Sequence, residues 1–230
     1  MSFRKASLQS SANLVVSGWD DTNRGIEDRT AMNPDFLSAR SSHHWALTGP
    51  GHGVQFYRDD AERVRLLTDF VTDGLNARQP VVAIVESPRL LQIREALTDR
   101  GSAVKTLEDE GQLILLNARL MLTALMNGHG VDPSRFRGII GAVMERAGGR
   151  RRVVRAYGEM VDLLWKDGQA PAALRLERLW NALARDYHFA LLCGYSADNF
   201  ISAEPGNGFE AVCGQHRVVV PIEPNPRPAA

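Results

Sequence analysis

Lysine is almost missing from this sequence. Of its 27 basic residues only Lys5, Lys105 and Lys166 are lysines, so arginine carries the positive charge. None of the three follows a glycine-rich strand-to-helix turn, and no Gly-Lys-Ser/Thr signature for cradling a triphosphate exists anywhere. The glycine-rich GPGHG precedes its strand instead of following it, so phosphoryl transfer is not expected. Cysteine is equally scarce. Cys193 and Cys213 form no CxxC pair and suggest no disulfide framework, which makes a reducing cytoplasm the expected location. No apolar run approaches membrane-spanning length, and MSFRKASLQSSANLVVSGWDD lacks the compact apolar region of a secretory signal. Membrane insertion is not expected. Neither sign of charge dominates, with 27 Lys and Arg against 27 Asp and Glu, so no global field draws in nucleic acid. A G-x-S-x-G elbow is absent, and none of the six histidines has a partner at zinc-motif spacing. The reading at this level is no catalytic residue, no metal and no cofactor.

What is present is an ordinary globular composition, 44% hydrophobic and 23% charged over 230 residues, enough for a real core. Residues 1–45 are rich in Ser, Asn, Asp and Arg without sustained periodicity and read as a flexible N-terminal extension. Residues 221–230 read as a proline-rich tail, which leaves 46–220 as the domain. Within it, strand and helix patterns alternate. VQFY is the first strand. Asp59 and Glu62 then have capping-box spacing before a helix that turns Val64, Leu67, Val71 and Leu75 inward. PVVAIVE is a β-branched run suited to a strand covered on both faces. Ser87 and Pro88 suit the N-cap and first position of a helix carrying Leu90, Ile93 and Leu97, and Gly101 stops it.

AVKTL and LILLNA read as two further short strands. Asp132-Pro133 opens a helix with Phe136, Ile140, Val143 and Met144 on one side. RVVRAY is the next strand, followed by helices over 159–166 and 170–185, the strand HFALLCGY, and a short helix over 208–216. Alternation of this kind implies a three-layer α/β domain, a mostly parallel sheet flanked by helices.

In such sheets ligands are met beyond the carboxyl ends of the strands, where Tyr57, Glu86, Asn117, Glu159 and Tyr195 fall. Glu159 opens a helix directly after a buried strand. It either floors a crevice or simply faces the helix dipole. Glu177 shares the apolar face of its helix with Leu174, Trp180 and Asn181, and Arg155 is a candidate counter-ion. Trp165 and Trp180 are core residues or pocket walls. Cys193 reads as a small buried hydrophobe, and Cys213 with His216 at i, i+3 as at most a weak metal pair.

The pattern HGVQFYRDDAERVRLLTDFVTDGL, VVAIVESPRLLQIREAL and GQLILLNA, continued through DPSRFRGIIGAV, VRAYGEMVDLLWKDGQAPAALRLERLWNALA and FALLCGYSADNF, resembles the MEDS domain over about 48–220. This is the methanogen/methylotroph DcmR sensory domain. The resemblance implies a non-catalytic, ligand-sensing domain, shaped like RecA/KaiC-type ATPases without their phosphate-binding loop, for small hydrocarbon derivatives. The family's motif positions fall on His52, Phe56, Tyr57, Gly158, Glu159, Met160, Cys193, Tyr195 and His216. With Glu86 added from the strand ends and Trp165 as a pocket wall, the expected ligand-binding set is His52, Phe56, Tyr57, Glu86, Glu159, Trp165, Cys193, Tyr195 and His216. One position departs: the acidic residue usual after LILL is Asn117 here. With no room for a DNA-binding or kinase module after residue 220, the expectation is a stand-alone sensor. It would act through a protein partner such as a histidine kinase or transcription regulator. The alternatives are a degenerate nucleotide or cyclic-dinucleotide binder using Arg58, Arg89 and Arg155, and an enzyme with Glu159 as acid or base.

Overall fold

In the computed structural model, residues 49–128, 130–201 and 208–220 are described. The expected extension over 1–45 and the tail over 221–230 lie outside them. Six strands form one sheet in the order β3-β2-β4-β5-β1-β6, every pairing parallel. These are β1 (Gly51–Tyr57), β2 (Val81–Val85), β3 (Leu113–Asn117), β4 (Val154–Gly158), β5 (Phe189–Ser196) and β6 (Val218–Val220). The central strands β2, β4 and β5 are buried along their whole length, as their continuous apolar runs require.

Helices cover both faces. On one lie α1 (Asp60–Asn76), α2 (Ser87–Asp99) and α3 (Val104–Asp109), packed on Val81, Ala83, Val85, Tyr157 and Leu192. On the other lie α4 (Ala118–Leu125), α5 (Pro133–Arg146), α6 (Met160–Lys166), α7 (Ala170–Leu183), α8 (Asp198–Ile201) and α9 (Phe209–Cys213). Their core is a larger cluster around Ile140, Met144, Leu176, Trp180 and Leu191.

Local chemistry sets the elements. Asp59 caps α1 by accepting from the Glu62 amide at 2.8 Å, and Leu66, Leu67, Phe70 and Val71 turn inward. Gly74 lets α1 lie close on the sheet, because a Cβ there would meet Arg155 Cδ at 2.7 Å and Val81 Cγ2 at 2.9 Å. Glu86, one residue before the expected Ser87, is the N-cap of α2. Asp132 caps α5 as its sequence implied, accepting from the Ser134 and Arg135 amides at 2.9 Å each.

Four elements depart from the sequence reading, the one-turn helix α8 being an unanticipated one. AVKTL is not a strand: Val104 and Leu107 meet the core at helical spacing while Lys105 and Thr106 are exposed, so the segment closes as α3. The helix α4 was not anticipated. It starts because the Asn117 side chain accepts from the Leu120 amide at 2.9 Å, which gives the departing asparagine a capping role. The short edge strand β6 likewise escaped notice, three valines paired with Gly53–Gln55.

The connections decide where a site can form. The chain leaves β1 and β2 through α1 and α2 on one face, and leaves β4 and β5 through α6 and α8 on the other. Between β2 and its neighbours β3 and β4, and again between β1 and β5, strand ends therefore diverge to opposite faces, the arrangement in which a crevice can form. No helix among the described residues is long and apolar enough to cross a membrane.

Candidate functional site

Glu159 sits where β2 and β4 part. Its side chain makes no cap bond to α6. It turns across the crevice instead, accepting from the Glu86 amide at 3.2 Å and from Arg89 Nε at 2.9 Å. Its backbone N–H donates to the Ile84 carbonyl at 3.0 Å. The helix-dipole reading thus gives way to a cross-strand lock. Arg89 also meets Glu86 and Asp60, and Arg63 meets Asp60 and donates to the Tyr57 hydroxyl at 2.9 Å. Tyr57 in turn donates to Asp162 at 2.6 Å. Asp162 further accepts from the Ser196 amide, Asn199 and Lys166, at 2.9, 2.7 and 2.8 Å.

These contacts fill the carboxyl rim. Tyr57, Glu159 and Tyr195 are 3%, 0% and 0% exposed, so among the described residues the rim is not the open apolar hollow that the strand ends suggested. The reason is electrostatic: carboxylates gathered on a desolvated floor recruit arginines, and the pairs occupy the space. Burial raises the Glu159 carboxyl above its ordinary range, outweighing the opposing pull of Arg89 and Arg63. Burial and then Asp162 push the Tyr57 phenol well upward. One contact is left unmade. Glu159 Oε1 and Arg63 Nε, both buried without a hydrogen-bond partner, face each other at 3.9 Å.

A second buried cluster lies on the face of α7. Glu177 is fully buried there. The Tyr195 hydroxyl donates to it at 2.9 Å and the Cys193 thiol at 3.3 Å, while His52 Nε2 and His216 Nε2 lie 3.2 and 3.3 Å from its two oxygens. Arg155 is not its counter-ion. That arginine lies on the opposite face of the sheet, 4.3 Å over the Phe70 ring, so the strands themselves separate the two. Nor do Cys213 and His216 pair as their spacing hinted. Cys213 is half-buried on α9, its thiol pushed up to about 12 by burial and Glu210. Burial works against the Glu177 charge, but His216 and His52 outweigh it and hold the carboxyl well below the usual range. Burial, then His216, lowers His52. Burial and then Glu177 keep Cys193 a thiol.

The Tyr195 ring joins this hub to an aromatic group. Phe56, Trp165, Tyr195, Phe200 and Phe209 form a connected group of rings, with centroids 5.0 Å apart for Phe56–Phe209 and 5.1 Å for Trp165–Phe200. Tyr195 and Phe200 are buried, whereas Trp165 and Phe209 are only partly so. Gly208 makes the approach of α9 possible. Its φ is +87° and a Cβ would sit 2.3 Å from the Trp165 ring. Trp180 is not part of this group but core, between Phe136 and Phe189.

The nine expected residues thus fall into three adjoining groups. Tyr57, Glu86 and Glu159 share the rim, His52, Cys193 and His216 share the Glu177 hub, and Phe56 and Trp165 meet Tyr195. Sequence reasoning missed Arg63 and Asp162, and it missed Glu177 as a partner of the histidines. Asp162 carried a signal, since it is a carboxylate inside the wholly buried Met160–Leu164 run. The model of the MEDS family, the methanogen/methylotroph, DcmR sensory domain, matches residues 51–209. No curated protein matches the chain. The match spans most of the described fold, and the chain belongs to the MEDS family of sensory domains.

Proposed function

We propose that this MEDS domain is a non-catalytic sensor whose ligand, a small and weakly polar organic molecule, enters among Phe56, Trp165, Tyr195, Phe200 and Phe209. The observation that carries the reading is the bond from the Tyr195 hydroxyl to Glu177. Through it a change in ring packing reaches a buried hub that ties β1, β5 and α7 together. Aromatic contacts of this type are worth about 0.5–1.5 kcal/mol each beyond area burial. A hydrocarbon-derived ligand bearing one hydroxyl or carbonyl can replace such contacts and share the Tyr195 hydroxyl. Its binding selects a state in which the rings part, and a protein partner, a histidine kinase or transcription regulator, reads that state.

The nucleotide alternative finds less support. Arg89 is held by Glu86, Asp60 and Glu159, Arg58 by Glu62, and Arg155 stacks on Phe70. An enzyme built on Glu159 is also disfavoured, because that carboxylate is 0% exposed and engaged by Arg89. A thermal-shift screen of the full chain tests the proposal. Short-chain alcohols, aldehydes and ketones are expected to include a saturable stabiliser, worth about 2.7 kcal/mol at a hundred times its dissociation constant. Phe209→Ala is expected to weaken that response. Saturable stabilisation by ATP or a cyclic dinucleotide, with none from the organic panel, would overturn it.

A further inference from the structure

The Glu177 hub has features that a buried ion pair does not need. Its four polar atoms come from four separate places in the fold, namely His52 on β1, Cys193 on β5, Glu177 on α7 and His216 between α9 and β6. All lie within 4.8 Å of one another. Each histidine is held by its other nitrogen. His216 Nδ1 lies 2.7 Å from the Val212 carbonyl, which can only accept, so Nδ1 carries the hydrogen. Asn181 donates its amide to the Gln215 carbonyl at 3.0 Å, which leaves its oxygen to accept from His52 Nδ1 at 2.9 Å. Both rings are therefore held through Nδ1 and turn Nε2 toward the same point. This is how outer hydrogen bonds orient imidazoles that ligate metals.

A second observation is independent of the first. His216 Nε2 is wholly buried and makes no hydrogen bond, although it points into the cluster. Among the described residues Glu177 meets no arginine or lysine, so its opposite charge is supplied by the two imidazoles or by a bound ion. The shortest separations, to one or the other Glu177 oxygen, come close to those around an ion. His52 Nε2 lies 3.2 Å from both Cys193 Sγ and Glu177 Oε2, and His216 Nε2 lies 3.3 Å from Glu177 Oε1. Bonds of about 2.0–2.3 Å in a tetrahedral centre put its ligand atoms roughly 3.3–3.8 Å apart.

We infer that His52 Nε2, His216 Nε2, Cys193 Sγ and a Glu177 oxygen form a four-coordinate site for a zinc-class divalent cation. Two nitrogens, one sulfur and one oxygen favour Zn²⁺ or Co²⁺ over Mg²⁺ and Ca²⁺, which take oxygen ligands. On uptake the Cys193 S–H bond breaks, as does any N–H bond at the two Nε2 atoms, the protons leave to solvent, and the thiolate and both imidazoles bond the metal. The two charges of the ion then balance Glu177 and the thiolate, so the buried site becomes neutral. With four protein ligands it is a closed, structural site, and it ties the α9–β6 passage to the middle of the sheet.

Titration of the chelator-treated full chain with Co²⁺ tests this without any organic ligand, so it can fail while the sensory proposal stands, and the reverse. One equivalent is expected to bind, with a thiolate-to-cobalt charge-transfer band in the near ultraviolet and the intense visible bands of tetrahedral cobalt. Zn²⁺ is expected to displace it. Cys193→Ser is expected to lose the charge-transfer band and Cys213→Ser to keep it. A folded wild-type chain that takes up neither Co²⁺ nor Zn²⁺ stoichiometrically would overturn the site, and so would a band that vanishes in Cys213→Ser. Should Cys193→Ser fail to fold, the wild-type titration and a direct zinc count decide.

Discussion

At the residue scale, burial alone does not set the state of a charge in this domain. Glu159 and Glu177 are both fully buried, yet the first is raised and the second lowered. Glu159 leaves Oε1 without a hydrogen bond, whereas both Glu177 oxygens are met by donors or imidazoles at about 3 Å. Arg155 is the sharper case. It is 5% exposed, its Nε and Nη2 have no hydrogen-bond partner among the described residues, and its Nη1 donates to Gln79 Oε1 at a long 3.5 Å. Burial lowers its guanidinium against a weaker pull from Asp73. Replacing a poorly paired buried ion by an apolar side chain of similar length is commonly neutral or stabilising by about 1–4 kcal/mol. Arg155→Met also keeps a polarisable contact over Phe70. Its melting temperature is expected to match or exceed the parent's, by about 2–4 °C per kcal/mol gained. A clear fall in a calorimetric scan would show that the stacked guanidinium is stabilising as it stands.

At the element scale, one glycine fixes how β4 and β5 lie together. A Cβ on Gly194 would stand 2.2 Å from the Tyr157 hydroxyl and 2.9 Å from the ring carbon bearing it. Gly194→Ala is expected to cost about 1–3 kcal/mol by overpacking. Adding Tyr157→Phe is expected to return part of that, because the hydroxyl goes but the ring carbon stays. Urea unfolding of the single and double variants measures both, and additive losses would mean the two side chains do not meet. The strands β2, β4 and β5 were legible in sequence because a run buried on both faces is apolar without interruption. The helix α3 was not, since six residues with two inward positions fit either period. The helix α4 hid behind a cap of asparagine, and β6 is too short to carry a pattern of its own. The site was legible in part. Strand ends and family motifs named His52, Cys193 and His216, but no spacing could join them to Glu177, because the sheet folds distant segments into one contact.

At the scale of the whole molecule, the sheet divides the polar groups between two tasks. Ion pairs at the diverging ends of β2 and β4 lock the crevice, and the α7 face carries an aromatic group tied through Tyr195 to the Glu177 hub. The proposed sensing would use this division, with the ion-paired rim as frame and the aromatic group as the packing that responds. The sequence family supports the sensory role, and the geometry supports the aromatic group as the place where it acts.

Tryptophan emission during titration with the best stabiliser from the organic panel tests that assignment most directly, because Trp165 stands in the aromatic group and Trp180 in the core. The saturable change is expected to survive in Trp180→Phe and to disappear in Trp165→Phe. A change that persists in Trp165→Phe and is lost in Trp180→Phe would place the ligand elsewhere and contradict the account.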